Sequence, residues 1–243
     1  MAKAEGFTSR AKVAVITGGG SGIGLALAKA FSAAGYTVVI TGRDLPRLEK
    51  AAQPLNAGKA EVKPVQCDVR DPVSVSRLFA EIRQKFSHLD VLVNNAGISH
   101  GLAPVEQLPV ETWKQVIDTN LTGTFLATQA ALPLMRAGGT IVNNLSVAAV
   151  RPFAGMAAYN ASKFGAMGFT QALREELRQK GIRVLALLPG ATDTDIWSQF
   201  WPDAPREKMI SPETVAAAVL HAVTAPPEAT IEEIRIGPAM GVL

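Results

Sequence analysis

The sequence contains one cysteine, three histidines, few aromatic residues and no long apolar run. A lone cysteine, Cys67, cannot form an internal disulfide, and a small buried hydrophobic residue is the simplest interpretation of it. The histidines stand far apart, at His88, His100 and His221, so metal-ligand spacing is missing and no metal is expected. Runs such as residues 184–188 are far shorter than the roughly 20 residues that cross a bilayer, which predicts no membrane partner.

Runs of one charge are also missing. The 24 lysine and arginine residues and the 21 acidic residues leave a net charge of +3, which is spread along the chain without a basic patch. This pattern predicts no nucleic-acid partner. Mild basicity suits a phosphate-bearing cofactor, and ordinary solvated surface explains it equally well. Residues 1–10 lack the features of a secretory signal, so we expect a flexible N-terminus and a cytoplasmic protein.

Aliphatic residues are abundant. Hydrophobic residues make up 48% of the 243 positions and aromatic residues only 6%, so the core is expected to consist of valine, isoleucine, leucine and alanine. Because no linker divides the chain, one domain over residues 1–243 is predicted. Short β-branched runs alternate with helical stretches, which is typical of βαβ units in an α/β fold with a parallel sheet.

This alternation predicts seven strands and six helices. The strands are expected at residues 13–16, 37–40, 61–66, 91–93, 140–144, 183–188 and 233–236. The helices are expected at residues 23–34, 45–55, 73–86, 111–135, 157–180 and 212–223. Residues 192–211 interrupt the rhythm with prolines and large aromatic residues, so an irregular or short-helical segment is predicted where α/β folds place ligand contacts.

A glycine-rich turn, TGGGSGIG at residues 17–24, follows the first predicted strand and opens the first helix. Glycine lets backbone N–H groups approach a pyrophosphate, and the helix N-terminus adds unpaired donors and the positive end of its dipole. The spacing Gly-x-x-x-Gly-x-Gly differs from the usual Gly-x-Gly-x-x-Gly, and no Lys-Ser/Thr pair follows as in a P-loop. The turn predicts a dinucleotide site, with a merely flexible turn as the alternative.

Two further patterns are weak when taken alone. The segment NNAG, residues 94–97, follows the fourth predicted strand at an edge that binds ligands in open parallel sheets, and its composition is also that of a plain turn. Tyr159 and Lys163 lie on one face of a predicted helix, where the ammonium is expected to lower the tyrosine pKa toward neutrality and create a general acid/base. Ser146 could hydrogen-bond the same reacting oxygen, and an exposed helix pair is the alternative.

Taken together and in this order, the motifs resemble the classical short-chain dehydrogenase/reductase family over about residues 12–236, with similarity to its 3-oxoacyl-ACP reductase-like members. The resemblance implies a Rossmann-type doubly wound sheet of about seven strands with helices on both faces. It also implies a nicotinamide cofactor and hydride transfer between that cofactor and a carbonyl or secondary-alcohol carbon. The chain departs from the family at Leu145, where a small residue is common, and at the C-terminus, which lacks the frequent Asp-Gly-Gly.

The resemblance also implies roles for individual residues. Tyr159 is the expected proton donor, Ser146 its hydrogen-bonding partner, Lys163 a binder of the nicotinamide ribose, and Asn120 a water-holding relay residue. Asp68 is expected to contact adenine. The full set of cofactor contacts implied in this way is Thr17, Gly18, Gly20, Ser21, Gly22, Ile23, Gly24, Asp68, Val69, Asn95, Ala96, Gly97, Tyr159, Lys163, Pro189, Gly190, Thr192 and Thr194.

Cofactor choice is predicted from the end of the second strand, where an acidic side chain would bind an unphosphorylated ribose. Gly42 and Arg43 stand there instead, which favours the 2′-phosphate of NADP. Asp44 is close enough to keep NAD as the alternative, and an ordinary solvated surface residue is the other interpretation of Arg43.

A hydrophobic carbonyl substrate is predicted from a group of apolar side chains, with packing of these aromatic residues onto the body of the protein as the alternative. The group comprises Leu102, Leu145, Phe153, Met156, Trp197, Phe200 and Trp201.

The predicted helix that carries Tyr159 also carries several small residues. Small residues at positions 161, 165, 166 and 168 permit close helix approach, and the family resemblance implies a homotetramer; packing on the chain's own sheet is the alternative.

Two other functions can be compared with the sequence. An α/β-hydrolase is excluded because no Gly-x-Ser-x-Gly elbow occurs. A redox sensor that binds the dinucleotide without turnover stays an alternative, against which the complete set of Ser146, Tyr159 and Lys163 argues.

Overall fold

Seven strands form one sheet in the order β3-β2-β1-β4-β5-β6-β7. A computed structural model describes residues 11–58 and 60–241. The strands are β1 (Val13–Thr17), β2 (Thr37–Gly42), β3 (Val62–Gln66), β4 (Leu89–Asn94), β5 (Met135–Asn144), β6 (Arg183–Pro189) and β7 (Glu233–Ile236). Every neighbouring pair is parallel, which confirms the predicted α/β class.

Helices cover both faces of this sheet. They are α1 (Gly22–Ala33), α2 (Leu45–Ala52), α3 (Pro72–Phe86), α4 (Val110–Ile117), α5 (Gly123–Ala131), α6 (Ala157–Arg178) and α7 (Pro212–Val223). Alternate side chains of β1 enter two separate cores. Ala14 and Ile16 pack with residues of α1 and α7, whereas Val13 and Val15 pack with residues of α3, α5 and α6. This burial on both sides confirms the doubly wound, Rossmann-type arrangement.

Capping residues followed closely by proline start three of the helices. Asp71 caps α3 by accepting hydrogen bonds from two backbone N–H groups, and Ser211 caps α7 by accepting one from the backbone N–H of Thr214. Asp44 caps α2 by accepting from the backbone N–H of Arg47 at 3.0 Å. Proline is tolerated in the first turn because the N–H groups there have no acceptor within the helix. The Asp44 carboxylate is therefore engaged at the start of α2.

The prediction of a single helix over residues 111–135 is wrong. The chain forms α4, a π-helical turn (Asp118–Thr122), α5 and a 3₁₀ turn (Leu132–Leu134), and Met135 already pairs with Leu89 in the sheet. Pro133 ends the helical hydrogen-bonding because it has no backbone N–H. The hydroxyl of Thr124, in the first turn of α5, donates to the Asn120 carbonyl in the π turn at 2.8 Å. Single π turns of this kind are frequent at functional sites, and Asn120 lies in this one.

The remaining predictions for the fold concern the irregular segments. Residues 192–211 contain two 3₁₀ turns, Asp195–Gln199 and Arg206–Lys208, which confirms an irregular, short-helical excursion. The predicted flexible stretch at residues 1–10 lies outside the described residues. Among the helices that the structure describes, none is long and apolar enough to cross a membrane.

Candidate active site

The predicted functional residues gather at the carboxyl edge of the sheet. The chain winds from β1 toward β2 and β3 on one side, and from β4 toward β5, β6 and β7 on the other. A crevice therefore opens beyond the ends of β1 and β4, where the winding reverses. The glycine-rich turn follows β1 and the NNAG segment follows β4, so both lie at this crevice.

The glycine-rich turn is pressed against the NNAG segment. Gly18 has a φ of 66°, and a Cβ at this position would lie 2.9 Å from the Ala96 Cα. A Cβ at Gly24 would collide with the Gly18 carbonyl oxygen and the Asn95 side chain. Gly22 has a φ of 51°. These close approaches and positive φ values explain why glycine stands at these positions.

Hydrogen bonds hold the same two segments together. Thr17 Oγ1 accepts from the backbone N–H groups of Asn95 and Ala96, each at 2.9 Å. Asn95 Nδ2 donates to the Thr17 carbonyl at 2.9 Å, and its Oδ1 accepts from Asn144 Nδ2 at 2.8 Å. Asn95 thereby links the ends of β1, β4 and β5. Asn144 Oδ1 is buried and has no hydrogen-bond partner among the described residues.

Tyr159 and Lys163 lie in α6 with the ammonium beside the phenol. Lys163 Nζ is 5.6 Å from the centroid of the tyrosine ring and donates to the Asn144 carbonyl at 3.0 Å. Lys163 is only 6% exposed, and burial lowers its pKa to about 8. Burial also raises the pKa of Tyr159, whereas a hydrogen bond with Ser146 acts in the opposite direction. The prediction that the Tyr159 pKa is lowered is therefore wrong. Burial of the phenolate raises this pKa more than the hydrogen bond with Ser146 lowers it.

Asn120 is buried, and both ends of its amide are bonded to protein. Oδ1 accepts from the Ile98 N–H at 2.9 Å, and Nδ2 donates to the Ile98 carbonyl at 2.9 Å and to Ser162 Oγ at 3.0 Å. Ser162 Oγ in turn donates to the Tyr159 carbonyl at 2.7 Å. Asn120 therefore connects the loop after β4 to the helix that carries Tyr159.

Two neighbouring cavities open at this edge. The first, which we call the glycine cleft, has a volume of about 360 Å³ and is lined by the glycine-rich turn, the NNAG segment and residues after β2 and β6. The second, which we call the aromatic cavity, has a volume of about 500 Å³, and its lining includes the aromatic residues Phe153, Trp197, Phe200 and Trp201. Ser146 and Tyr159 line both cavities. The serine hydroxyl and the phenol therefore lie where the two cavities meet.

Two arginines line the glycine cleft near the end of β2. Arg43 is the residue predicted there, and Arg47 was not predicted. Arg47 forms an ion pair with Asp195, with 2.9 Å between Nη2 and Oδ2, and both side chains are exposed. The four-residue spacing from Arg43 to Arg47 is the signal that could have revealed the second arginine. Asp44 caps α2 and does not line the cleft.

The cavities contain most of the predicted contact residues. The predicted cofactor residues that line the glycine cleft are Gly18, Ser21, Gly22, Ile23, Arg43, Asn95, Ala96, Gly97, Tyr159, Lys163, Pro189, Thr192 and Thr194. The aromatic cavity is lined by Leu102, Phe153, Met156, Trp197, Phe200 and Trp201 of the predicted substrate group, and also by Gly190.

Several predicted residues lie elsewhere. Leu145, predicted to contact substrate, lines the glycine cleft. Six predicted residues line neither cavity, namely Thr17, Gly20, Gly24, Asp68, Val69 and Asn120. The Asp68 carboxylate is bonded to the Arg70 guanidinium, which lowers the pKa of Asp68. Thr17, Gly24 and Asn120 support the walls of the site from behind through the contacts described above.

Comparison with known proteins identifies the family. A family model described as short chain dehydrogenase matches residues 12–205. The chain belongs to the short-chain dehydrogenase family. An uncharacterized oxidoreductase of Staphylococcus epidermidis is 35% identical to this short-chain dehydrogenase over 229 residues, which cover 93% of this chain and 97% of that protein.

Solved structures of family members share the fold. The alcohol dehydrogenase of the archaeon Thermococcus sibiricus, complexed with 5-hydroxy-NADP, is 30% identical, with a TM-score of 0.87 and coverage of 95% of this chain and 97% of that one. The 3-ketoacyl-(acyl-carrier-protein) reductase of Brucella melitensis, complexed with NADH, is 30% identical, with a TM-score of 0.85 and coverage of 94% and 97%. These similarities confirm the predicted family and make this chain an oxidoreductase.

The glycine cleft has the features that a nicotinamide dinucleotide requires. Ser21 makes no side-chain capping bond to α1, and the first turn of α1 contains no acidic residue, so its backbone N–H groups are available to a pyrophosphate. Asn144 lines the cleft and carries a buried oxygen without a partner. Arg43 and Arg47 supply positive charge at one end. Backbone donors, an unpartnered acceptor and basic side chains together fit a ligand with phosphates and ribose hydroxyls.

The depressed pKa of Lys163 leads to a prediction about stability. Between pH 8 and 10.5 the unfolded chain keeps a proton on this lysine that the folded chain has lost, so the lysine makes the free energy of unfolding rise with pH in that window. Below about pH 8 Lys163 is charged in the folded protein too, and desolvation of its ammonium lowers the free energy of unfolding by the full amount. Lys163→Met is therefore expected to increase the free energy of unfolding at pH 7 by up to about 3 kcal/mol, and this gain should shrink as the pH rises toward 10.

Urea titrations at a series of pH values test this prediction, with Lys180→Met as a control, because Lys180 is an exposed lysine just beyond the end of α6. The raised pKa of Tyr159 makes the free energy of unfolding fall with pH, but only above the ordinary tyrosine pKa of 10, so it does not interfere below that pH. Equal effects of the two substitutions at every pH would contradict the assigned burial cost.

Proposed function

We propose that the protein is an NADP(H)-dependent oxidoreductase that interconverts a ketone and a secondary alcohol, with Tyr159 as the general acid/base. The observation that carries the proposal is the position of Ser146 and Tyr159 on the shared wall of the glycine cleft and the aromatic cavity. A carbonyl oxygen at this junction would lie within reach of both hydroxyl groups. When bound in the glycine cleft, the nicotinamide ring supplies or accepts the hydride.

Each polar residue at the junction has a distinct proposed role. Tyr159 donates its proton to the carbonyl oxygen as negative charge develops there, and its raised pKa keeps the phenol protonated at neutral pH. Ser146 donates a hydrogen bond to the same oxygen. Lys163 holds ribose hydroxyls and places positive charge beside the phenol. Asn120 positions α6 through Ser162, and we prefer this role to water binding because both ends of its amide are bonded to protein.

The proposed acid role predicts the effect of removing one hydroxyl group. Tyr159→Phe is expected to lower kcat for ketone reduction by about 10² to 10⁴ and to leave NADPH affinity nearly unchanged, because positioned proton transfer contributes a factor of this size. The control is Tyr36→Phe at the other tyrosine of the chain, which is buried against Phe31 away from the site. Near-normal reduction by a folded, cofactor-binding Tyr159→Phe variant would overturn the mechanism. An unaltered protein that binds NADPH but reduces no ketone would favour the sensor alternative.

The preference for NADP rests on the charges at the end of β2. Arg43 and Arg47 line the cleft there, and the nearby acid that would favour NAD, Asp44, is engaged as the cap of α2. A 2′-phosphate therefore meets two guanidinium groups and no free carboxylate at this position. Asp195 pairs with Arg47, so we expect the phosphate to compete with Asp195 for that guanidinium.

Removing either arginine should change cofactor selectivity. Arg43→Ala and Arg47→Ala are each expected to lower kcat/KM for NADPH by about 10- to 100-fold, the size of one or two charge-assisted hydrogen bonds, with little change for NADH. Asp195→Asn should lower the KM for NADPH because it releases Arg47. Arg77→Ala, at an exposed arginine on α3 outside both cavities, is the control. Equal losses with both cofactors, or a wild-type preference for NADH, would contradict the assignment.

We also propose an apolar substrate for the aromatic cavity. Trp197 packs against Phe200 and Trp201, with ring centroids 5.0 and 6.0 Å apart, and its indole N–H donates to the Thr192 carbonyl at 2.8 Å. The aromatic wall is therefore anchored to the segment that follows β6. A volume near 500 Å³ suits a ligand of ordinary drug or metabolite size. Small keto acids should consequently be poorer substrates than aliphatic or aromatic ketones.

We propose a cytoplasmic homotetramer that uses the outer face of α6. Gly165 packs against Leu121 of its own chain, whereas a Cβ at Gly168 would meet nothing within 4 Å. Phe164, one turn before Gly168, is 44% exposed, and Phe125 on α5 is 43% exposed. These residues form an open apolar face on which a second copy of the chain could pack.

Light scattering at micromolar concentration tests the assembly. The wild-type protein is expected to have four times the chain mass, and Phe164→Glu should lower that mass because it places a charge on the apolar face. Phe153→Glu, which changes an aromatic residue in the cavity rather than on α6, should leave the mass unchanged. A monomeric wild-type protein would refute the proposal.

A further inference from the structure

The aromatic cavity contains two cationic side chains that the proposed chemistry does not use. Arg151 and Arg235 both line it, and no acidic residue lines it. Over the residues that the structure describes, neither guanidinium takes part in a side-chain hydrogen bond or an ion pair, in contrast to Arg174 and Arg206, which are bonded to carboxylates and backbone carbonyls. Both arginines are exposed to solvent where they line the cavity, and apart from them and the hydroxyl groups of Ser146 and Tyr159 the lining is apolar.

The two arginines reach the cavity from separate parts of the chain. Arg151 follows a 3₁₀ turn (Val147–Ala149) that begins directly after Ser146. Arg235 belongs to β7, the edge strand, where it is in register with Leu188 of β6. Glu233 precedes Arg235 by two residues on the same strand but does not line the cavity. Neither arginine lines the glycine cleft, so the phosphates of a dinucleotide do not account for them.

We propose that the substrate carries an anionic group, a carboxylate or a phosphate, at the end of an apolar body remote from the reacting carbonyl, and that Arg151 and Arg235 bind this group. The inference rests on the proposed carbonyl reduction, because the junction at Ser146 and Tyr159 fixes where the carbonyl lies. A guanidinium cannot lose its charge and donates paired hydrogen bonds that match these anions. The aromatic residues that line the same cavity bind the apolar body.

This arrangement differs from a site for small keto acids. In a small keto acid the carboxylate is next to the carbonyl, so it would lie at the junction, where Lys163 is the nearby cation and neither Arg151 nor Arg235 lines the shared wall. A longer molecule places its carbonyl at the junction and its anion at the arginines at the same time. The chain length of the best substrate would therefore report the distance from the junction at Ser146 and Tyr159 to the two arginines.

The experiment uses the full-length enzyme with NADPH and a homologous series of straight-chain methyl ketones that end in a carboxylate. Each acid is compared with its methyl ester, which keeps the shape and removes the charge, and with the corresponding phosphate monoester. We expect kcat/KM for the best acid or phosphate to exceed that of its neutral partner at least tenfold. Which of the two anions is preferred identifies the anionic group.

Matched variants locate the effect. Arg151→Gln and Arg235→Gln should each lower kcat/KM for the anionic ketone about tenfold or more, mainly through KM, while the methyl ester and NADPH constants stay unchanged. Arg136→Gln, at an exposed arginine on β5 that lines neither cavity, is the control. Calorimetric titration of the keto acid into the enzyme with NADP⁺ should show the same loss of affinity, independently of turnover.

The outcomes separate this inference from the proposed function. If acids, phosphates and esters are reduced equally well and the arginine variants behave like Arg136→Gln, the anionic site is refuted while carbonyl reduction stands. If no ketone in any series is reduced although NADPH binds, the proposed function itself fails. A preference for the shortest keto acid that survives both arginine substitutions would also overturn the inference.

Discussion

The backbone of the glycine-rich turn lies so close to the NNAG segment that no side chain fits between them, and the rest of the site depends on this contact. Gly18 faces Ala96, and Asn95 ties the ends of β1, β4 and β5 together through its amide. Residues of both segments line the glycine cleft, and Asn95 accepts a hydrogen bond from Asn144 at the end of β5. Because Lys163 donates to the Asn144 carbonyl at the end of β5, the same contact also determines where α6 holds its ammonium.

The electrostatics of the site follow from burial. Water solvates neither Lys163 nor Tyr159 well, so the structure disfavours the charged form of each group, and their pKa values move in opposite directions. A nearby anion favours the charged form of a buried lysine, so phosphates in the glycine cleft would raise the pKa of Lys163 again. Cofactor binding and the protonation state of the Tyr159–Lys163 pair are thereby coupled through the same low-dielectric region.

The parallel sheet, the glycine-rich turn and the Tyr159–Lys163 pair could be predicted because each depends on local periodicity or on a short motif. The division of residues 111–135 could not, since a π turn differs from an α turn by one residue and leaves the apolar pattern nearly intact. The direction of the Tyr159 pKa shift depends on how deeply tertiary packing buries the phenol, which spacing does not reveal. Arg235 lies far from Ser146 in the sequence, and only the register of β7 on β6 brings it to the same cavity.

The Arg47–Asp195 ion pair joins segments that follow β2 and β6, and these strands are four positions apart in the sheet, a distance of about 19 Å. The pair therefore joins the two sides of the glycine cleft, which both residues line. Both side chains are exposed, so dissolved salt weakens their attraction and also screens the approach of a phosphate. Ionic strength would thus influence a phosphate-bearing ligand in two opposing ways, by weakening the ion pair across the cleft and by weakening the attraction of the arginines for the phosphate.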